Sequence, residues 1–176
     1  MITGGYSIPV AILTAFLAGL LAGLATGLFH TFMGIPPILA GILTQLSLYS
    51  INLKIMGKAN QAVNVRNYKL LVSMQYNKGV PFYQNTIFVV GIIIAVIILL
   101  LYWFFGTEKG CAIRATGSNP NMSRANGINT NINKVIALML SNGIVAFSGA
   151  LLSQYQGFAD VQMGRGAIVI GLAAVI

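Results

Sequence analysis

Thr86-Ile-Phe-Val-Val-Gly-Ile-Ile-Ile-Ala-Val-Ile-Ile-Leu-Leu-Leu-Tyr-Trp-Phe-Phe105 contains no charged residue and closes on four aromatics. A helix needs about twenty apolar residues to cross the hydrocarbon of a bilayer. In lipid a helix also pairs nearly all of its backbone groups within the segment, which an isolated strand cannot do. Tyr102, Trp103, Phe104 and Phe105 suit the headgroup level, where amphipathic rings form a belt. The stretch therefore reads as a transmembrane span, and the rest of the chain is placed around it.

Directly after it stands a polar island, Gly110-Cys-Ala-Ile-Arg-Ala-Thr-Gly-Ser-Asn-Pro-Asn-Met-Ser-Arg-Ala-Asn-Gly127. Ser118 or Asn119 can cap a helix with a short side-chain oxygen. Pro120 fits the first helical position, where its missing N–H costs nothing. Gly127 can supply the left-handed residue that ends the helix, with Ile128 folding back onto Met122. A helix of roughly two turns is expected over Pro120 to Asn126. It is too short to be stable alone, so it must dock on something.

Composition confirms the class. The chain has 176 residues, 57% hydrophobic and 7% charged, and its mean hydropathy is +0.84. Soluble domains carry about 25% charged residues, so the expectation is an all-α, polytopic membrane protein. Ten Lys and Arg against two Asp and Glu give a net charge of +8. That excess is not a nucleic-acid signature, because the cations are spread over two loops with no basic aromatic face. Loop cations flanking apolar spans are the ordinary membrane pattern. The lone Cys111 forms no internal disulfide. One His, one Cys and two acids are too few for a metal cluster or a catalytic constellation. No Walker-type glycine loop with its Lys occurs. Neither cofactor nor enzymatic activity is expected, and any ATP that drives this protein is bound by another subunit.

Toward the N-terminus, Met1 to Ser7 lacks Lys and Arg, which argues against a signal peptide. Ile8 to Phe32 is long enough to span with some tilt. Within it Gly19, Gly23 and Gly27 recur every fourth residue, a stripe that lets a neighbouring helix come close, either in the same bundle or in a second subunit. His30, at the end of that span, reads as a satisfied or interfacial histidine. Met33 to Pro36 is a tight connection, and Pro36-Pro37 breaks the helix. Pro37 to Leu53 is a second span with Thr44, Gln45, Ser47 and Ser50. Gln45 is expected to face the bundle interior, lining a pathway or bonding to another helix. Lys54 to Gln84 is the longest soluble segment, carrying Lys54, Lys58, Arg66, Lys69 and Lys78. Its stretch from Val63 to Leu71 reads as a short strand or a helix.

Toward the C-terminus, Asn129, Thr130 or Asn131 can cap the next helix. Val135 to Gln154 is a fourth span, with Asn142 embedded in it and Gln154, Gln156 and Asp160 at its exit. Gln45, Asn142 and Gln154 are the candidates for lining a pathway. Ala167 to Ile176 begins a fifth apolar segment and stops after ten residues. An apolar half-span there, and a first span without a charged anchor, read as an internal piece of a larger protein, or as a split or truncated gene product.

The run Arg114-Ala-Thr-Gly-Ser-Asn-Pro120, with Ala125-Asn-Gly-Ile-Asn129, resembles the cytoplasmic loop of permease subunits of ABC importers of the branched-chain amino acid and ribose type. Similarity continues through Ser141-Asn-Gly143, Ser148 to Asp160 and Gly164 to Ile176, and is strongest from about Thr107 onward. The last set resembles a subgroup associated with binding proteins of the aromatic-amino-acid type. The resemblance implies a single permease domain over 1–176 with a cytoplasmic coupling loop at 106–134. It also implies a coupling helix gripped by an ATPase subunit, a substrate-binding protein outside, a second permease copy and a place in the cell membrane. Arg114, Gly117, Asn119, Pro120, Met122, Arg124 and Gly127 would shape that coupling element, with Arg124 offering a salt bridge to the ATPase. The sequence departs from the commoner family pattern at Ser123 and Arg124. The Lys54–Gln84 loop has five cations, and the island with its flank has four: Lys109, Arg114, Arg124 and Lys134. These lie on opposite sides of the third span, so charge does not orient the chain. The resemblance does, placing the island inside and Met1 outside.

The expected substrate is an amino acid, aromatic or branched-chain, ahead of a sugar or nucleoside. An ion-coupled secondary transporter or channel using Gln45, Asn142 and Asp160 is the competing reading. It has little to work with, because the charged residues stand at span ends or in loops.

Overall fold

A computed structural model describes residues 7–62, 86–164, 171, 173 and 174. In chain order it forms α1 (Ile8–Thr31), α2 (Pro37–Met56), β1 (Asn60–Ala62), α3 (Thr86–Phe105), α4 (Glu108–Ser118), α5 (Pro120–Ala125), α6 (Thr130–Gln156) and β2 (Phe158–Asp160). Among the described residues, four helices are long and apolar enough to cross a membrane: α1, α2, α3 from Phe88, and α6. At 1.5 Å per residue, α6 with its 27 residues is about 40 Å long and α2 with 20 is about 30 Å. The all-α polytopic class expected from the sequence is what the chain adopts. The fifth apolar segment and the stretch from Val63 to Leu71 lie outside the described residues, apart from the three isolated positions near the C-terminus.

The packing is inverted relative to a water-soluble bundle. In α1 the buried residues are Ile12, Gly19, Gly23, Thr26 and Gly27, while Leu13, Leu17, Leu21 and Leu28 face outward. Leucine gains little by leaving lipid for protein, since both are apolar, so helix contact in a bilayer favours residues that let backbones touch. The glycine stripe does this against α6. A Cβ built on Gly23 would lie 2.5 Å from the carbonyl oxygen of Leu138 and from the Cα of Met139. On Gly19 it would lie 2.5 Å from the Cβ of Ala146, and on Gly27 3.0 Å from the Cα of Val135. From the other side, the buried Gly143 lies under Phe16 and Leu20. The seam is internal to this chain, and α1 on α6 is the most extensive helix pairing in it.

Helix α2 returns along α1 after the break at Pro36, and a hydroxyl pair ties the two. Thr26 Oγ1 and Thr44 Oγ1 are 2.9 Å apart and both buried; Thr44 donates to the Ala40 carbonyl of its own helix, while Thr26 shares its one proton between the Ala22 carbonyl and Thr44 Oγ1. His30 Nδ1 donates to the carbonyl of Ile35 at 2.8 Å, which holds the α1–α2 corner. A carbonyl can only accept, so the proton is on Nδ1. Gln45 does not face the interior of this chain. Thr44 takes the inward direction, and one helical step of 100° turns Gln45 to the exposed side.

Two short strands close one end of the bundle. β1 and β2 pair antiparallel with Asn60 opposite Asp160, Gln61 opposite Ala159 and Ala62 opposite Phe158. This ribbon was not anticipated from the sequence. It joins the exit of α2 to the exit of α6, and Val161 N–H extends it by donating to the Ala59 carbonyl at 3.1 Å. Helix α3 packs mainly on α4. An apolar groove of about 650 Å³ between α1, α3 and α6 is lined by residues such as Phe16, Ile97, Trp103 and Leu140.

Candidate functional site: a helical handle at the end of the spans

The polar island is more ordered than a loop. Its first half is a helix of its own, α4, which was not expected from the sequence. Thr107 starts it by accepting from Gly110 N–H at 3.3 Å while donating to the Phe104 carbonyl at 2.6 Å. The hydroxyl thus ends α3 and begins α4.

Asn119 is the hinge between α4 and α5. Its backbone is extended, with φ −147° and ψ 98°, and its N–H donates to the Ala115 carbonyl at 3.0 Å, closing α4. Its Oδ1 accepts from the N–H groups of Asn121 and Met122, both at 3.1 Å, opening α5. A cap of this kind is worth about 1 kcal/mol. Asn119 rather than Ser118 takes the role, because Ser118 is still inside α4. Pro120 occupies the first helical position of α5. Ser123, 2% exposed, is fixed by its N–H and its hydroxyl, both donating to the Asn119 carbonyl.

The far end of α5 is closed as firmly. Gly127 has φ +76°; its N–H donates to the Arg124 carbonyl, and the N–H of Ile128 donates to the Ser123 carbonyl, each at 3.0 Å. This is the six-to-one and five-to-two pattern of a Schellman ending, which requires a left-handed residue between. The helix stops at Ala125, one residue before the expected end, because Asn126 is the cap: its Nδ2 donates to the Met122 carbonyl at 3.1 Å.

Two side-chain bonds lash this unit to the start of α6. Arg124 Nε donates to Thr130 Oγ1 at 2.9 Å. Asn133 Nδ2 donates to Thr116 Oγ1 at 3.2 Å, a buried bond joining α6 to α4. Thr116 and Asn133 were missed in the sequence. The signal was there in two uncharged polar residues flanking the handle, but only the fold shows that they meet. Asn129 caps α6, accepting from Ile132 N–H at 3.3 Å.

The outward side of the handle is formed by Arg114, Gly117, Asn119, Met122 and Arg124, all exposed, with Met122 at 64%. Arg124 therefore has an internal partner in Thr130 while its residue remains accessible. A two-turn helix with both ends capped and braced against α4 and α6 can be pushed as one body, because little of it can fray.

The three pathway candidates do not converge. Gln45 is exposed on α2. Asn142 is half-buried in the glycine seam and donates from Nδ2 to the Leu138 carbonyl of its own helix at 2.9 Å. Gln154, twelve residues or about 18 Å further along α6, is 1% exposed. Charged residues among those described stand near the ends of the four spans or between them, at Lys54, Lys58, Glu108, Lys109, Arg114, Arg124, Lys134 and Asp160.

A family model described as branched-chain amino acid transport system / permease component matches residues 1–176. The chain is 38% identical over 175 residues to the tyrosine transport system permease protein of Clostridioides difficile (strain R20291), covering 99% of this chain and 56% of that protein. It is 33% identical over 139 residues to an uncharacterized protein of Rickettsia prowazekii (strain Madrid E), covering 79% of this chain and 47% of the relative. With the autoinducer 2 import system permease protein of Salmonella typhimurium it shares 29% identity over 179 residues, covering 100% and 49%. The chain thus spans about half the length of the curated relatives it matches. No solved structure matches it.

Proposed function

The chain belongs to the branched-chain amino acid transport system / permease component family, and from that premise we propose that it builds the membrane pathway of an ATP-driven importer of amino acids. The observation that carries the proposal is α5, a two-turn helix capped at both ends and exposed beyond the ends of α3 and α6. ATP is bound by a separate subunit whose groove takes α5. Closure of that subunit on ATP shifts α5, and the braces from Arg124 to Thr130 and from Asn133 to Thr116 pass the shift into α6. The glycine seam couples α6 to α1, so both spans move together. A substrate-binding protein delivers the solute on the opposite face, and a second permease copy completes the pathway.

Placement of charge supports ATP coupling over ion coupling. A proton- or sodium-driven carrier uses ionisable groups near the middle of its spans, and the described charges stand near the ends of the four spans or between them. For the substrate, the 38% identity to a protein named as a tyrosine transport system permease supports an aromatic amino acid.

Co-purification of the full-length protein with its ATPase subunit tests this reading. Gly117→Pro and Asn119→Leu are expected to abolish association or ATP-dependent uptake. Cys111, exposed in the first half of α4, is expected to resist a membrane-impermeant maleimide applied to intact cells and to react in inverted vesicles. Labelling from outside would put the handle on the wrong face for an ATPase and end the proposal.

A further inference from the structure

Helices α2 and α6 each pack chiefly on α1, and the two seams are unequal. Against α6, backbone meets backbone along Gly19, Gly23 and Gly27 over most of the length of α1. Against α2, the described hydrogen bonds stand toward the corner at Pro36: Thr26 to Thr44, and His30 to the Ile35 carbonyl. At the opposite end, remote from α5, the last turns of α2 diverge from α1 and α6 and a cavity of about 670 Å³ lies between them. Asn52, Ile55 and Met56 form its α2 wall, and the ribbon reaches it through Gln61 of β1 and Ala159 of β2. Helix α2 is thus anchored at one end and clasped to the exit of α6 at the other by two strands of three residues. Two paired strands with no third strand beside them are marginally stable in water, so this clasp is the weaker of the two ties.

Near the clasp the packing carries a bias toward release. Gln154, in the last turn of α6, is 1% exposed, yet neither its Nε2 nor its Oε1 has a hydrogen-bond partner. The large majority of buried polar atoms are paired, and an amide sealed without partners is unfavourable relative to the same amide in water. Any rearrangement that lets water reach the exit of α6 gives both atoms partners. The closed arrangement is therefore opposed at the same end where it is most weakly held.

We propose that the β1–β2 ribbon is the outer clasp of the transport cycle. Paired, it holds α2 to the α1–α6 unit; released, it lets α2 swing about the Pro36 corner and opens the space between them toward the side on which solute arrives. Hydration of the Gln154 amide favours the released state. A displacement passed from α5 into α6 moves α1 with it through the glycine seam, so the relative motion falls on the ribbon. The inference rests on the transport reading above, which makes this the outer face.

The test uses the full-length permease carrying Cys111→Ser, assembled with its ATPase and binding protein in proteoliposomes and supplied with radiolabelled L-tyrosine. Gln61→Cys with Ala159→Cys sets two thiols directly opposite each other in the ribbon. Opposed residues of an antiparallel pair have Cα atoms about 4.5–5.5 Å apart, within disulfide range. Oxidation with copper phenanthroline is expected to close the pair and abolish uptake while leaving ATPase association intact, and dithiothreitol to restore uptake. In parallel, hydrogen exchange is followed at Val161, whose N–H donates to the Ala59 carbonyl across the ribbon. Gln154→Leu is expected to slow that exchange by roughly tenfold, because release no longer gives the amide its partners. Co-purification with the ATPase reports that each variant has assembled. If one fails, Gln154→Met replaces Gln154→Leu, and Ala62→Cys with Phe158→Cys replaces the first pair, being opposed in the same way. Uptake unchanged by the closed disulfide, or thiols that never close in either pair, would overturn the clasp and leave the transporter standing. Unchanged exchange at Val161 would overturn the bias assigned to Gln154. A wild-type permease that binds no ATPase would overturn the transport reading, and the clasp with it.

Discussion

Substituting Gly23 by alanine tests whether the α1–α6 seam holds this chain together. The new Cβ would stand 2.5 Å from the Leu138 carbonyl oxygen and the Met139 Cα, where ordinary contact begins at 3.4 Å, a deficit of 0.9 Å. Both obstacles are backbone, so no side chain can swing aside and the helices must separate. Overpacking of this kind costs about 1–3 kcal/mol, against a helix-propensity gain of about 1 kcal/mol for replacing glycine. The net expectation is a loss of up to about 2 kcal/mol, or up to roughly 8 °C in Tm at 2–4 °C per kcal/mol for a chain of this size. Gly41 and Gly91, with nothing within 4 Å, serve as controls in which alanine should be neutral or mildly stabilising. Gly27→Ala should fall between, since its nearest contact is 3.0 Å. The assay is a thermal melt of the purified full-length protein in detergent, followed by fluorescence or by aggregation. Equal melting of Gly23→Ala and Gly41→Ala would refute the reasoning, because it would mean the backbones do not touch there.

Asn119→Ala removes the oxygen that accepts from both Asn121 and Met122; it should cost about 1 kcal/mol of α5 stability and weaken ATPase association, with Asn119→Asp restoring it in a pull-down. Thr26→Val and Thr44→Val should each destabilise by about 0.6–1.7 kcal/mol, the range for interhelical bonds in membranes. The double variant should cost less than the sum, as a mutant cycle by thermal melting would show. Gln154→Leu should raise the melting temperature in the absence of solute by removing two unpaired buried groups, worth about 1–3 kcal/mol each. An unchanged or lower melting temperature would show that the amide has a partner.

Much of the handle was legible because its signals are local. Asparagine before proline, and glycine seven residues later, act through bonds that span at most five residues, and α5 falls within a residue of the expected end. Helix α4 was missed for a physical reason: Gly110 and Gly117 lower its intrinsic helicity, and α4 is held by the cap at Thr107 and by tertiary contact of Thr116 with Asn133. Gln45 could not be placed from the sequence, because a polar residue in an apolar helix announces only that it needs a partner; it stands exposed, and Thr44 beside it pairs with Thr26 of α1. The burial of Gln154 could not be read at all, since it is set by tertiary packing near the end of α6, where a three-residue ribbon joins segments about a hundred residues apart.

What the chain settles on its own is the solvent it lives in and roughly where each span lies, because hydropathy, proline and capping act within a few residues. Which spans touch, and which polar groups are left without a partner, was decided only in three dimensions. In a bilayer the apolar side chains gain little by choosing one neighbour over another. Pairing is left to close backbone approach and scattered hydrogen bonds, and neither has a periodicity strong enough to be read along the line.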